Sequence, residues 1–211
     1  FHRTKALWSE AFPGEKIHSR KHCPIVIEDF ISSELAAKIL NQLPHNLNGA
    51  VHNQPFRALN TAARVPVSLE TKVRYAMFTD KSPTNPSSIE KDTVGPMMVS
   101  PVRIKQGPAP PHQDRYNGAS TVVDEYVAIV YVKGSGSMNF VDLTRGQKLS
   151  VRIKPRSLIF FHNATFTHEV VPDDVRETRV MLGPFTFTGD GVARAGDCGG
   201  CGGGSQLAHE S

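Results

Sequence analysis

Hydrophobic and polar positions alternate through much of the second half of the chain. Phe166, His168 and Val170 fall at every second position. After a short acidic turn, Glu177, Arg179, Met181 and Phe185 keep even spacing. A period of two is the signature of a strand with one buried face. The two runs predict a hairpin that sets His168 and Arg179 on the same side of a sheet. Residues 97–105 (MMVSPVRIK), 125–134 (EYVAIVYVKG), 137–143 (SMNFVDL) and 147–155 (QKLSVRIKP) also read as strands, 125–134 apolar enough to be central. In 147–155, Leu149, Val151 and Ile153 face inward. Lys148, Arg152, Lys154 and Arg156 form an outward basic row, expected to be a solvated face or a contact for an anionic partner.

The first half follows a different rhythm. Residues 23–30 (CPIVIEDF) read as a strand. Ser32 or Ser33 then caps a helix, ELAAKILNQL, whose Leu35, Ile39 and Leu43 share one stripe. The pattern weakens from His45 to Pro96, except that 67–78 (VSLETKVRYAMF) predicts a second helix with Leu69, Val73 and Met77 on one side. Residues 79–96, rich in Pro, Ser and Thr, predict a long loop, either a lid over a site or an ordinary surface segment. The expected organisation is a basic lead-in over 1–22 packed by Trp8 and Phe12, a supporting region over 23–96, a β core over 97–188, and a glycine-rich tail over 189–211.

Composition narrows the classes. The chain has 211 residues, 39% hydrophobic and 21% charged, as expected for one globular domain. A net charge of +4 permits an anionic partner without requiring nucleic acid. No aromatic stacking platform accompanies the basic row, which argues against a nucleic-acid substrate. No apolar run approaches a membrane span, so a non-membrane, cytoplasmic protein is expected. Three cysteines, Cys23, Cys198 and Cys201, do not make a disulfide framework and suit a reducing compartment. Cys198 and Cys201 have C-x-x-C spacing but lie in a glycine-rich run that reads as tail.

The candidate chemistry lies at His112-Gln113-Asp114. In an extended segment, residues i and i+2 point the same way, so His112 and Asp114 can hold one ion together. With His168 they compose a two-histidine, one-carboxylate facial triad, the donor set of non-haem Fe(II) oxygenases. The spacing alone is weakly specific; the flanking residues sharpen it. Val102-Arg103-Ile104 with Gly107, then His112-Gln113-Asp114, Tyr131-Val132-Lys133, Gly136 to Phe140, Phe160-Phe161-His162-Asn163, His168-Glu169-Val170-Val171-Pro172 and Arg179 follow in order over roughly 85 residues. This series resembles the core of Fe(II)/2-oxoglutarate-dependent oxygenases, particularly the prolyl-4-hydroxylase-like branch.

The resemblance implies a mainly β fold with flanking helices and a double-stranded β-helix core of jelly-roll or cupin-like form. It also implies Fe(II), 2-oxoglutarate as co-substrate, O₂ and ascorbate. His112, Asp114 and His168 would be the metal ligands and catalytic centre. Arg179 would anchor the far carboxylate of 2-oxoglutarate, with Tyr131 and Lys105 as further contacts, since Ile104 replaces the family's tyrosine. Asp114, where related halogenases carry a small residue, implies hydroxylation. His162 competes with His168 as distal ligand and Arg176 with Arg179 as anchor; parity and the HEVVP pattern favour His168 and Arg179. The substrate is a prolyl or other peptide side chain, or a small metabolite. A non-catalytic cupin-type metal-binding barrel is the remaining alternative. The oligomeric state is not encoded in any of these features.

Overall fold

The structure, a computed structural model, describes residues 22–43, 59–78, 95–114 and 126–187. In chain order the elements are β1 (Ile25–Ile27), α1 (Ser33–Leu40), β2 (Leu59–Pro66), α2 (Val67–Phe78), β3 (Met97–Lys105), β4 (Ala109–His112), β5 (Tyr126–Lys133), β6 (Gly136–Asp142), β7 (Lys148–Ile153), β8 (Ser157–His162), β9 (Phe166–Pro172) and β10 (Arg179–Phe187). They build a six-stranded sheet ordered β1-β8-β5-β10-β3-β2 and a four-stranded sheet ordered β4-β9-β6-β7. Every pairing is antiparallel. From β3 to β10 the chain passes back and forth between the two sheets, which is the winding of a double-stranded β-helix. The fold is mainly β with flanking helices.

Two hydrophobic layers follow from this arrangement. One lies between the larger sheet and the helices, with Leu35, Ile39, Leu69 and Val73 against Val102, Ile104, Leu158 and Phe160. The other fills the space between the sheets, with Phe140, Phe161, Phe166, Ile159 and Ile153. β8 shows why its sequence does not alternate: Phe160 packs into the first layer and Phe161 into the second, so every position is buried. α1 is capped by Ser32, whose Oγ accepts the Leu35 amide at 3.0 Å. α2 covers 67–78 as predicted, with Leu69 and Val73 fully buried.

The predicted hairpin between the runs around His168 and Arg179 does not form. β9 belongs to the smaller sheet and β10 to the larger one, and residues 173–178 carry the chain across the sandwich. His168 and Arg179 therefore face each other from opposite walls. A period of two specifies which side chains share a face, but it does not specify which strand lies alongside. Phe185 leaves the Arg179–Met181 face as well. The register between β10 and β5 shifts between Leu182 and Phe185, and Phe185 packs on the helix side.

Three of the four side chains of the outward basic row pair with acids from other segments. Arg152 pairs with both Asp173 oxygens, Lys154 with Glu28 at 3.1 Å, and Arg156 with Asp29. β2 is an edge strand that alternation alone did not predict. Its Leu59-Asn60-Thr61-Ala62 start carries little β character, and only Ala63 and Val65 are buried on its inward face. Trp8, Phe12, Cys198, Cys201 and residues 79–94 of the predicted loop lie outside the described residues.

Candidate functional site

His112 ends β4 and His168 lies on β9, and the two are direct partners across the strand pair, with ring centroids 4.3 Å apart. Asp114 follows two residues after His112 on the extended chain. One donor atom from each of His112, Asp114 and His168 lies within 4.8 Å of the others. The His112 Nε2 to Asp114 Oδ1 distance is 3.9 Å. These are the residues the sequence pattern singled out, and the fold brings them together as a facial-triad cluster.

The surroundings set the state of each group. His112 Nδ1 is 2.7 Å from the Pro110 carbonyl, which can only accept. A proton is therefore held on Nδ1, which leaves Nε2 as the nitrogen turned toward Asp114. His168 is buried against Phe161 and Phe140, with centroids at 4.7 and 6.1 Å. Burial, chiefly, lowers its pKa to about 4, with His112 and Lys105 adding to that and Asp114 opposing it. The imidazole is thus neutral near pH 7, as a ligand must be. Its Nδ1 is buried and has no hydrogen-bond partner.

Asp114 is positioned by a residue whose role the motif did not announce. The Asp114 amide donates to Asn163 Oδ1 at 2.8 Å, and Asn163 Nδ2 donates to the Asp114 carbonyl at 3.0 Å. The Asn163 side chain pairs with the ligand's backbone much as a neighbouring strand would. Gln113 Nε2 adds donations to the Asn163 and Ala164 carbonyls at 3.1 and 3.2 Å. The competing histidine, His162, precedes this clamp on β8. It shares the parity of Phe160, so it faces the helix side, where Nδ1 lies 3.0 Å from Thr165 Oγ1 and its ring meets Tyr126 edge-on. It is not among the converging groups.

The opposite wall of the same cavity, of about 90 Å³, carries Arg179, Tyr131, Lys105 and Arg103. Arg179 opens β10 and is almost wholly buried, with 1% of its surface exposed. Its Nη2 donates to the Gly107 carbonyl, while Nε and Nη1 are buried without a partner. Burial pulls its pKa below the usual guanidinium value, against Tyr131 and Glu177. Gly134 makes room for its stem: a Cβ there would lie 2.5 Å from Arg179 Cγ, and the backbone sits at φ +107°. Arg176, the competing anchor, is exposed in the turn, where its carbonyl accepts from Gln106 Nε2 at 2.8 Å.

Tyr131 is buried beside Arg179, and burial, with Asp114 adding, pushes its phenol well above the ordinary range, leaving it a protonated donor. Lys105 sits opposite Arg179 across the β3–β10 pair. Burial first, then Arg179 and Arg103, lowers its pKa. Ile104 points the other way, into the helix-side layer. The parity of β3 therefore gives the cavity two cations, Arg103 and Lys105, and no tyrosine from that strand. Arg103 was missed because the motif comparison placed the functional position one residue later.

The donor set fits a divalent transition metal: two imidazoles and a carboxylate on one side, with orphaned polar atoms nearby. Arg179, cationic and only partly hydrogen-bonded in a buried place, fits the carboxylate of a small acid.

No protein-family profile matches the sequence, and no curated protein matches it. Among solved structures, the chain is similar to a prolyl-4-hydroxylase from Pseudomonas putida, with TM-score 0.45, 15% identity, and 76% of this chain and 90% of that one covered. It is also similar to the non-haem α-ketoglutarate-dependent epimerase SnoN from nogalamycin biosynthesis, with TM-score 0.43, 14% identity, and 86% and 79% covered. At such distances neither comparison bears on the chemistry, which rests on the strand topology and the converging groups.

Proposed function

We propose that this chain is an Fe(II)- and 2-oxoglutarate-dependent dioxygenase that hydroxylates an organic substrate. The observation that carries the reading is the pairing of two features in one cavity: a His-Asp-His cluster on the smaller sheet and a buried, half-satisfied arginine on the larger. A barrel that only stores a metal has no use for the second feature, which carries a desolvation cost of its own.

In this reading His112, Asp114 and His168 hold the iron. Bound there, the metal supplies the activation of O₂ that couples decarboxylation of 2-oxoglutarate to oxidation of the substrate. The protein's own part is positional. Pro110 keeps the His112 proton away from the ligand nitrogen. Asn163 fixes the backbone of Asp114. Arg179 offers Nε and Nη1 to the far carboxylate of the co-substrate, and Tyr131 and Lys105 stand by as a donor and a second cation. The phenyl rings around His168 keep water from that side. Within this class, a prolyl or other peptide side chain is one substrate type and a small metabolite the other.

The test is succinate formation from 2-oxoglutarate with Fe(II), O₂ and ascorbate, screened against peptides and small metabolites. Turnover should require iron and vanish in His112→Ala and Asp114→Ala. If it persists in either variant, the metal assignment is wrong. If metal binds but 2-oxoglutarate does not, the cupin-type alternative replaces the oxygenase reading.

A further inference from the structure

Arg103 is the cation of this cavity that neither the metal nor the co-substrate accounts for. It lies on β3 opposite Met181 of β10, two residues from Lys105 and on the same face. It lines the cavity together with Lys105, Arg179, His112 and Asp114. Asp114 is the sole acid lining the cavity among the described residues, and it is committed to the metal cluster. Neither the Arg103 nor the Lys105 side chain makes a hydrogen bond or an ion pair among the described residues.

A charge count makes the excess concrete. A divalent metal less the Asp114 carboxylate, three basic side chains and a doubly charged co-substrate leave about two positive charges that no group lining the cavity offsets. Arg179 is buried deep beside Tyr131, whereas Arg103 is only half-buried. Further along the same face of β3, Val99 and Met97 are 64% and 49% exposed. Arg103 thus stands between an exposed apolar strip and the reacting centre, where a substrate rather than the co-substrate would meet it.

We infer that the substrate is an organic anion and that Arg103 binds its carboxylate or phosphate. The inference rests on the oxygenase reading and deepens it by naming the substrate class. Arg103 is a specificity-determining residue: its guanidinium fork holds the anionic group so that an adjacent carbon is turned toward the metal.

The experiment uses the full chain loaded with Mn(II) and saturated with 2-oxoglutarate without oxygen. Hexanoate, hexanamide and pentyl phosphate are titrated in by calorimetry. Hexanoate or pentyl phosphate should bind at least about tenfold more tightly than hexanamide, and whichever is tighter identifies carboxylate or phosphate as the recognised group. Arg103→Gln should bring the anion down to the level of the amide, while Arg103→Lys keeps part of the preference. The preference should shrink in high salt. Equal binding of acid and amide overturns the inference, as does a preference that survives in Arg103→Gln. A loss of 2-oxoglutarate affinity in Arg103→Gln also overturns it, since Arg103 would then be a co-substrate anchor. Failure of 2-oxoglutarate to bind the manganese-loaded parent protein is a different result: it removes the oxygenase reading itself.

Discussion

Asn163→Ala tests how much of the metal site is held by backbone clamping rather than by the ligands themselves. The substitution removes both hydrogen bonds between the Asn163 side chain and the Asp114 backbone, at 2.8 and 3.0 Å. Each such bond is worth about 1 kcal/mol net, so the folded protein loses roughly 2 kcal/mol. The effect on metal affinity comes by another route. In the parent, Gln113 and Asp114 are fixed when the chain folds. In the variant they are loosened and must be ordered when metal binds, at a cost of about 1–2 kcal/mol for each residue's backbone. If the remaining Gln113 bonds hold half of that order, about 1–2 kcal/mol is lost on metal binding, a weakening of roughly 5–30-fold that overlaps the usual effect of a group that orients a ligand. Mn(II) titration followed by electron paramagnetic resonance measures it, with circular dichroism verifying the fold. Asn163→Asp, which keeps an acceptor for the Asp114 amide but loses the donor, should fall between. A folded Asn163→Ala protein that binds Mn(II) within about twofold of the parent would refute the reasoning, and Asp114 would have to be held by its own rotamer alone.

Three further outcomes are expected. Gly134→Ala places a methyl where Arg179 Cγ now passes at 2.5 Å, so 2-oxoglutarate affinity should fall by about tenfold or more while affinity for Mn(II) alone is kept; parallel loss of both would mean general misfolding instead. Arg179→Met should leave the metal-free protein as stable as the parent or more so, because a buried cation with two unpartnered nitrogens is replaced by an apolar chain. The parent should be stabilised by about 2.7 kcal/mol at 2-oxoglutarate a hundredfold above its Kd, and the variant should not, as read by thermal unfolding with Mn(II) present. Finally, His168 has its pKa lowered to about 4 by burial, against about 6.5 for a free imidazole. The unfolded chain binds the extra proton first, so this contribution is complete above about pH 6.5 and is lost as pH falls toward 4, on the order of 3 kcal/mol in total. Urea unfolding of chelator-treated protein at pH 7.5 and 4.5 should show the drop, and His168→Gln should lose that part of it.

How much of this was legible beforehand depends on whether the information is carried by side-chain periodicity. The strands at 97–105 and 125–134 came through almost to the residue, the first because one buried face is written at a period of two, the second because a continuous apolar run fits a central strand buried on both faces. α2 was legible from Leu69 and Val73 in the same way. β2 was not: an edge strand with one inward face and a Leu-Asn-Thr-Ala start has little to distinguish it from a loop, and its final Pro66 is tolerated only because that end needs no partner on its outer side. The basic row on β7 and just beyond it was legible as outward-facing. The pairing of Arg152, Lys154 and Arg156 with Asp173, Glu28 and Asp29 was not, because the partners lie in segments far away in sequence or across a turn.

The site divides along the same line. His112, Asp114 and His168 carry their chemistry in their side chains and stood out at once. What escaped was the geometry that makes them act together with Arg179. A hairpin reading put histidine and arginine side by side, whereas the fold sets them on facing walls, with the space between them left for a ligand. That difference has a physical consequence. Neighbours on one sheet would share solvent and screen each other. Facing groups enclose a small shared volume, in which a buried guanidinium with two unpartnered nitrogens is costly until an anion arrives, and a buried imidazole until its free nitrogen finds a partner. The residues that maintain this arrangement are an asparagine whose amide imitates a strand and a glycine defined by the absence of a side chain. Neither adds a charge or an apolar position to the pattern, so neither could be heard in it. Their substitution is the sharper probe, because it disturbs placement while leaving every chemical group of the site intact.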